Sequence, residues 1–392
     1  MSKIIYKHAD ASICEREYNI VKKFDFVERK NFSTMKKDEL FLYLLHAFHQ
    51  GVMSILYDEN IRSIKPRIEK LDFKSIPDDT AVLFFTSGTT GEPTGALKSK
   101  ANILEELAVL KALFMPLGIE RVIVTVPLIH IYGFLAGVML PSVLGADVIL
   151  KEEFLPHELI ALAENKRTLC ITNPVFLNVL NKLNIETQYP HITFVSSTGK
   201  LDATIAQSLH TKIGCNIYQI FGSTETGGIA YKINDDTIWK PLEGVNVEQV
   251  GQNLSVQSPF ISTYIIDKSL GELKQPFVTT DIINLEGGGF SLLGRESEII
   301  KISGKRISLL EVERLLENNS NIEEVLVKLS YGVTSHKDEQ LDILIQSNLA
   351  LVELKKIVKK TLQENYQKIN IRTTVQCVES IPKNHMGKKL RQ

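Results

Sequence analysis

A stretch rich in threonine, serine and glycine follows the apolar segment AVLFF (81–85) and contains residue types that bind phosphate. Glycines leave backbone N–H groups free to point at one ligand, and neighbouring hydroxyls add donors, so such a stretch can hold an anion. It is not a Walker loop, because no Gly-Lys-Ser/Thr sequence follows. A hydrophilic turn that binds nothing is the alternative. The residues are Thr86, Ser87, Gly88, Thr89, Thr90 and Gly91, followed by Glu92, Pro93, Thr94 and Gly95.

Further motifs with polar and charged residues follow this stretch along the chain. They are PLIHIYG (127–133), SSTGK (196–200), FGSTETG (221–227), TTDI (279–282), GRESEIIKISGKRISLLEVE (294–313) and PKNHMGKKLR (382–391). In order and spacing, the set resembles the adenylate-forming superfamily, which comprises acyl- and aryl-CoA ligases, peptide-synthetase adenylation domains and luciferase. The resemblance implies an enzyme that uses ATP and Mg²⁺ to join a carboxylate to the α-phosphate, with release of pyrophosphate.

The resemblance also implies roles for the nucleotide-binding residues. The 86–91 stretch holds the β- and γ-phosphates, Thr224 donates to the α-phosphate, and Glu225 holds Mg²⁺, which prefers hard oxygen ligands. An acid that stabilises a helix N-terminus is the alternative for Glu225. The remaining residues expected to bind ATP are Thr198, Gly199, Phe221, Gly222, Asp281 and Arg295.

Asp281 resembles the acid that accepts both ribose hydroxyls, and Arg295 the arginine that contacts ribose or phosphate. A strand-end aspartate and a surface arginine are the alternatives. Lys388 resembles the lysine that bridges the carboxylate and the α-phosphate, since two anions approach there. As a plain residue of a basic tail it would be a solvated charge. Lys388→Ala is therefore predicted to reduce adenylation far more than Lys389→Ala.

The acid pocket is assigned by the same resemblance to His130, Phe134, Val195, Gly222, Gly227, Gly228 and Ile229. A purely structural histidine is the alternative for His130. The segment 130–134 contains no acid, so a buried α-ammonium would lack a partner and an amino acid is disfavoured. Gly227 and Gly228 are expected to leave room for a planar ring or an extended chain. An aryl acid of the benzoate or cinnamate type is the first choice, and a fatty acid the second.

The thiol acceptor is either CoA or the phosphopantetheine of a separate carrier protein, and we favour the carrier protein. Gly304 resembles a residue that lines the thiol channel. In members of the family, this channel forms after a rotation of the C-terminal domain. Two alternatives are a non-catalytic module that senses a nucleotide or an acid, and an enzyme that does not transfer the acyl group to a thiol.

Three positions depart from the family pattern. The phosphate stretch has Thr94 where lysine is usual, with Lys98 as a possible substitute. Thr280 replaces a glycine beside Asp281, and Ser297 occupies the hinge position. The stretch begins at residue 86, which predicts a shortened N-terminal part.

Periodicity predicts the elements that must position these motifs. Apolar, β-branched segments alternate with amphipathic ones, which predicts an α/β fold of helix-covered sheets. A small β region and an α+β unit follow, so the expected domains are 1–296 and a mobile 297–392. Strands are expected at 81–85, 121–128, 146–150, 168–172, 192–197, 215–221, 323–330 and 340–347, and helices at 101–117, 156–166, 173–183, 202–213, 308–319 and 351–366. The first 70 residues look polar and helical.

Composition excludes several classes of protein. The 392 residues carry a net charge of −1, which gives no reason to expect nucleic acid or an anionic membrane as the main partner. The four cysteines are scattered without paired spacing, so a disulfide framework or a zinc site is not expected. The sequence begins without an apolar signal segment, and a cytoplasmic enzyme without stable membrane association is predicted.

Overall fold

The computed structural model describes residues 3–7, 13–17, 35–86, 93–163, 165–296, 299–302, 305–331, 339–366, 371–383 and 389. The chain divides into two compact units. The first comprises Met1–Glu248, Ser255–Phe277 and Glu286–Phe290, and the second comprises Gln249–Leu254, Val278–Leu285 and Ser291–Gln392. The domain boundary expected after residue 296 remains a prediction.

The largest sheet among the described residues has nine strands and belongs to the first unit. In spatial order they are Lys240–Pro241, Gly227–Ile233, Asn216–Ser223, Ile192–Ser196, Thr168–Thr172, Arg121–Val124, Asp147–Leu150, Lys3–Lys7 and Ile13–Glu17. The six strands from 216–223 to 3–7 are parallel, and antiparallel strands flank them. Short runs of buried β-branched residues form the centre, as expected for a parallel sheet covered on both faces.

The helices of the first unit cover this sheet, except that Ile64–Glu69 and Phe73–Ser75 pack with the five-stranded sheet described next. In the described residues of the first unit they are Lys37–Gln50, Ile64–Glu69, Lys100–Phe114, Leu140–Leu144, Pro156–Ala163, Pro174–Lys182 and Ala203–Ile213, with a π-helix at Gly133–Met139 and 3₁₀ turns at Phe73–Ser75 and Met115–Leu117. Val122 belongs to one apolar cluster and its neighbour Ile123 to another. Successive side chains of a strand point to opposite faces, so the two clusters are the cores on either side of the sheet.

A five-stranded sheet completes the first unit. In spatial order its strands are Leu270–Glu272, Tyr264–Ile266, Thr94–Ser99, Thr80–Thr86 and Ser54–Leu56. The strands 80–86 and 94–99 are antiparallel, with Thr86 opposite Thr94. The phosphate-type stretch is therefore the connection of this pair, and residues 87–92 of it lie outside the described residues.

The second unit contains an α+β region. A three-stranded sheet of Ile322–Tyr331, Glu339–Ser347 and Arg372–Val378 packs with the helices Leu309–Glu317 and Leu351–Asn365 around a common apolar core. A hairpin of Ile299–Ile302 and Lys305–Ser308 precedes it. A four-stranded sheet has the order Asn246–Val250, Asn253–Gln257, Phe277–Glu286 and Gly289–Arg295, and its residues 249–250, 253–254, 278–285 and 291–295 belong to the second unit.

The α/β class is confirmed, and the predicted elements from residue 81 onward correspond to observed ones. The prediction for the N-terminal segment is partly wrong, because 3–7 and 13–17 are strands, although helices 37–50 and 64–69 follow. The physical reason is non-local pairing, since Ile4 lies opposite Val148. Across the described ranges, no helix combines the length and the hydropathy that a bilayer span requires.

Candidate functional site

Neighbouring parallel strands of the nine-stranded sheet end at one edge, and the predicted motifs follow these ends. The chain leaves strand 121–124 toward 147–150 on one side and then returns to 168–172 on the other side. Ligands of open α/β sheets bind outside the carboxyl ends of the strands at such a switch point. His130 follows strand 121–124, Thr198 and Gly199 follow 192–196, and Thr224 and Glu225 follow 216–223.

Tyr132 joins the ends of two of these strands. Its buried hydroxyl lies 2.7 Å from the carbonyl oxygen of Val195 and 3.1 Å from that of Thr172. Burial raises the pKa of Tyr132 well above its usual range, so the hydroxyl stays a donor. The sequence motif predicts a role for the half-buried His130 and none for Tyr132. The available signal was a tyrosine in an apolar segment, since a buried tyrosine hydroxyl needs a partner.

Thr198 combines two unfavourable features at this edge. Its φ is 74°, in the left-handed region that β-branched residues avoid. Its Oγ1 is buried and has no hydrogen-bond partner among the described residues. Nearby, Ser197 donates to the carbonyl of Ile220 at 2.8 Å and so joins two strand ends. Strain and an unpartnered hydroxyl together are typical of functional positions and fit a ligand contact.

The turn that follows strand 216–223 presents Thr224 and Glu225. Ser223 N donates to Thr226 Oγ1 at 3.0 Å, and Thr226 N donates to Ser223 Oγ at 3.2 Å. These reciprocal bonds close the turn and leave the side chains at its tip half-buried. The carbonyl oxygen of Glu225 accepts a further bond from Ser262 N at 2.8 Å. The turn is thus fixed on both sides of its tip.

The residues at this edge fit a magnesium-bound nucleotide. Mg²⁺ usually takes one or two carboxylates and completes its coordination with water and phosphate oxygens. Glu225 can supply one carboxylate, and the hydroxyls of Thr198 and Thr224 can donate to phosphate. In the described part of the chain, no group of three His, Cys, Asp or Glu residues forms a protein-only metal site.

Lys98 is buried behind the turn. Its Nζ donates to the carbonyl oxygens of Glu225 at 3.0 Å and of Phe260 at 2.5 Å. Desolvation lowers the pKa of Lys98 to about 8, although the charges of Glu106 and Glu225 oppose the shift. Burial likewise raises the pKa of Glu106, whose Oε1 accepts from Gly228 N at 2.7 Å. Lys98 is therefore a poor substitute for the lysine that Thr94 replaces, because its amine is bound to these two carbonyls.

The residues predicted for the acid pocket lie in or beside the core of the first unit. Val195 and Ile229 are 1% exposed, and Phe134 is fully buried, edge-on to Phe48 and Phe84. The assignment of these residues and of His130 to the acid remains a prediction.

The expectation that Gly227 and Gly228 leave room for the acid is wrong in its physical basis. A Cβ at Gly227 would contact the Glu106 carboxylate and Phe260, and one at Gly228 would contact Leu242 and Glu106. The space beside these glycines is therefore occupied by the protein's own side chains.

The glycine and the aromatic residue before the turn have tight surroundings. A Cβ at Gly222 would overlap the carbonyl oxygen of Gly227 in the adjacent strand. Phe221 packs against Trp239 and Phe290, with ring centroids 5.4 and 5.8 Å away. Packing alone explains the residue type at both positions, and their ATP contacts remain predictions.

In the second unit, Asp281 and Arg295 form an ion pair. Arg295 Nε lies 2.9 Å from Asp281 Oδ1, with side-chain exposures of 30% and 10%. Asp281 N donates to Thr279 Oγ1 at 3.1 Å. The structure thus brings together Asp281, which the sequence assigned to the ribose, and Arg295, which it assigned to ribose or phosphate.

The C-terminal lysines of the second unit also have partners. Lys389 Nζ lies 2.7 Å from Glu317 Oε1, and Lys383 Nζ lies 2.7 Å from Glu324 Oε2. Lys383 and Lys389 form an antiparallel bridge. The predicted residues Ser87, Gly88, Thr89, Thr90, Gly91, Gly304 and Lys388 lie outside the described residues.

Comparison with known proteins identifies the family of the chain. A model of the AMP-binding enzyme family matches residues 20–280, more than half of the chain. The chain is 29% identical over 163 residues to 4-coumarate–CoA ligase-like 8 of Arabidopsis thaliana, covering 40% of this chain and 30% of that protein. It is 29% identical over 166 residues to the medium-chain fatty-acid–CoA ligase of Escherichia coli K12, covering 41% and 29%. The matched part thus spans about a third of each relative's length.

A solved structure has the same fold over most of the chain. It is o-succinylbenzoate CoA synthetase of Bacillus subtilis in complex with its acyl-adenylate intermediate. The TM-score is 0.74 at 20% sequence identity, and the match covers 91% of this chain and 85% of that chain. At this identity the likeness establishes the fold alone.

Proposed function

This chain belongs to the AMP-binding enzymes of the adenylate-forming superfamily, and from that premise we propose that it is an ATP-dependent acid–thiol ligase. In the first step a carboxylate oxygen of the acid attacks the α-phosphorus of ATP, and the bond to pyrophosphate breaks. In the second step the thiol sulfur, after losing its proton, attacks the acyl carbon, and AMP leaves. The observation that carries the proposal is the sheet edge where the unpartnered Thr198 hydroxyl and the Thr224–Glu225 turn follow adjacent strands.

The chain's own residues orient the nucleotide and compensate its charge. Thr224 donates to the α-phosphate, the Glu225 carboxylate holds Mg²⁺, and the 86–91 stretch holds the outer phosphates. When bound, Mg²⁺ neutralises phosphate charge and so favours attack by a second anion. Asp281 accepts the ribose hydroxyls, with Arg295 orienting its carboxylate, and Lys388 bridges the reacting anions. Preorganised donors of this kind are typically worth about 2.7–4 kcal/mol each.

An aryl acid of the benzoate or cinnamate type is our first proposal for the substrate. Segment 130–134 contains no acid to pair with an α-ammonium, and one relative is named 4-coumarate–CoA ligase-like 8. A fatty acid is the second candidate, because another relative is a medium-chain fatty-acid–CoA ligase. The filled space beside Gly227 and Gly228 removes one reason for preferring a large acid.

The acceptor is a phosphopantetheine thiol. The names of the relatives favour CoA, whereas the sequence led us to favour a carrier protein. Both carry the same thiol arm, so the chemistry of transfer is common to the two. The proposed location is the cytoplasm, where both acceptors occur.

The test is ATP–pyrophosphate exchange with a panel of benzoates, cinnamates, fatty acids and amino acids. An aryl acid that supports exchange, followed by thioester formation with CoA or a carrier protein, is the expected result. If only fatty acids support exchange, the substrate is a fatty acid and not an aryl acid. ATP binding without exchange for any acid would favour a nucleotide-sensing module, and a hydroxamate without any thioester would exclude the thiol acceptor.

A further inference from the structure

Two ionisable side chains of opposite charge are buried behind the turn that carries Thr224 and Glu225. Lys98, in strand 94–99, is fully buried, and Glu106, in helix 100–114, is 4% exposed. Burying a charge is costly unless hydrogen bonds and an opposite charge compensate it. The motifs give no role to Glu106. Both side chains find their compensation in the same segment of backbone, which is the segment after strand 216–223.

The contacts fix the two ends of that segment. Lys98 Nζ donates to the carbonyl oxygen of Glu225 at 3.0 Å, and Glu106 Oε1 accepts from the backbone N–H of Gly228 at 2.7 Å. The intervening Gly227 lets the carboxylate approach, because a Cβ there would meet it, and its φ of 72° lies in the left-handed region that glycine adopts readily. One buried cation and one buried anion thus hold backbone groups of opposite polarity three residues apart.

The same helix face also holds the neighbouring 258–262 segment. Asn102 lies one turn before Glu106, so both side chains point to the same side of the helix. Asn102 Nδ2 donates to the carbonyl oxygen of Pro259 at 2.6 Å, and its Oδ1 caps the helix through Ser99 N. Lys98 binds Phe260 O on the same segment. The Glu225 turn is therefore attached to strand 94–99 and to the first two turns of helix 100–114.

We propose that Lys98 and Glu106 are positioning residues that fix the backbone at 225–228, and thereby the Glu225 carboxylate and the Thr224 hydroxyl, for ATP and Mg²⁺. This inference rests on the proposed adenylation reaction. Both residues act through backbone groups. Loss of Glu106 leaves the Gly228 N–H without its acceptor and Lys98 without its counter-charge, and loss of Lys98 leaves two buried carbonyls without this donor.

The test compares Lys98→Met, Glu106→Met and the double variant with two matched controls on helix 100–114. The controls are Lys111→Met and Glu105→Met, whose side chains are exposed. One measurement is hydrogen exchange of the Gly228 amide. The other is calorimetric binding of a non-hydrolysable ATP analogue with Mg²⁺.

In each single variant we expect the Gly228 amide to exchange about tenfold to hundredfold faster. The Glu106 variant loses the carboxylate that accepts its hydrogen bond, and the Lys98 variant loses the cation beside that carboxylate. We expect the dissociation constant of the analogue to rise about fivefold to fiftyfold. The double variant should lose less than the product of the single effects, because no unpaired charge remains buried. The two controls should behave as the wild type.

Several results would overturn the proposal. Folded single variants with the amide exchange and the analogue affinity of the wild type would do so. Amide exchange that accelerates equally over the whole chain would also do so. If every variant fails to fold, the pair is structural and the proposal is again rejected. If only the double variant folds, weakened analogue binding supports the proposal and wild-type binding rejects it. A wild type that binds the analogue but shows no pyrophosphate exchange with any acid rejects the proposed function alone, whereas one that binds no analogue rejects both.

Discussion

Arg295 donates from Nε to Oδ1 of Asp281 across 2.9 Å and so joins the adjacent strands 277–286 and 289–295. Arg295→Gln leaves a largely buried carboxylate without this cation, so we expect a loss of about 1–3 kcal/mol in the free energy of unfolding. We also expect the KM for ATP to rise by roughly tenfold, because the orientation of Asp281 is no longer fixed. Urea unfolding and pyrophosphate exchange measure the two effects.

Arg295→Lys is the matched variant for this prediction. Lysine retains the charge but lacks the planar fork of the guanidinium, so it should recover stability better than it recovers the KM for ATP. An Arg295→Gln enzyme with the stability and KM of the wild type would show that the ion pair has no role.

Thr198→Gly should stabilise the protein and weaken nucleotide binding. The substitution removes a left-handed β-branched residue and a buried unpartnered hydroxyl, each worth about 1–3 kcal/mol, against about 0.5–1 kcal/mol for the flexibility of glycine. We expect a net gain of roughly 1 kcal/mol or more in urea unfolding and a higher dissociation constant for ATP. Thr198→Ser keeps the hydroxyl and should bind ATP as the wild type does. A Thr198→Gly protein that is less stable than the wild type would contradict the inference that Thr198 is strained.

Glu225→Gln should raise the Mg²⁺ concentration needed for half-maximal exchange by about tenfold or more, because an amide is a weaker ligand for a hard cation than a carboxylate. The free energy of unfolding should change little, since the described hydrogen bonds of Glu225 use its backbone carbonyl. Glu243→Gln, at an exposed position, is the control. Unchanged Mg²⁺ dependence would exclude Glu225 as the metal ligand.

Lys388 and Lys389 should separate chemistry from stability. Lys388→Ala should slow exchange by about a hundredfold or more without a change in unfolding. Lys389→Met should lower the free energy of unfolding by about 2–4 kcal/mol, because Nζ lies 2.7 Å from Glu317 Oε1 and 2.6 Å from the carbonyl oxygen of Val325. Lys356→Ala, an exposed change in helix 351–365, is the control. Equal effects of both substitutions on exchange and on unfolding would remove the special role of Lys388.

Lys37 should make stability rise with pH. Its buried Nζ donates to the carbonyls of Val124 and Lys151, and desolvation lowers its pKa from 10.5 to about 8. Between these values the unfolded chain binds more protons than the native one, so the free energy of unfolding increases with pH, by up to the order of 3 kcal/mol. In Lys37→Met this increment should vanish, as urea unfolding at about pH 7.5 and about pH 10 would reveal.

Lys36→Met, a change at the exposed neighbouring position, should retain the rise. Other groups titrate in the same range, so the comparison uses the difference between each variant and the wild type. If the free energy of unfolding depended on pH in the same way in the wild type and in Lys37→Met, a buried Lys37 amine with a lowered pKa would be excluded.

Much of the central architecture was predictable from local patterns. Strand 168–172 coincides with its predicted bounds, because TLCIT is a short, continuously buried run of the kind that parallel sheets contain. Helix 351–365 was likewise predicted to within a residue from its periodicity. The order of the motifs gave the family and the residues at the sheet edge.

The support behind that edge was not predictable. Lys98 and Glu225 are 127 residues apart in the chain, and Glu106 and Gly228 are 122 apart. Each contact joins a side chain to a backbone group, which leaves no sequence pattern at the second position. Strand 3–7 was missed for a related reason, since its parallel partner is residues 148–150.

The close approach of Gly222 to the carbonyl of Gly227 has a consequence for variation of this chain. Every amino acid other than glycine has a Cβ, and a Cβ at position 222 would overlap that carbonyl. In a saturation library selected for function, position 222 should therefore return a single amino acid, whereas exposed positions such as Glu105 and Lys111 should accept many. Descendants of this sequence can change exposed positions elsewhere, but the close approach of strands 216–223 and 227–233 permits no side chain at position 222.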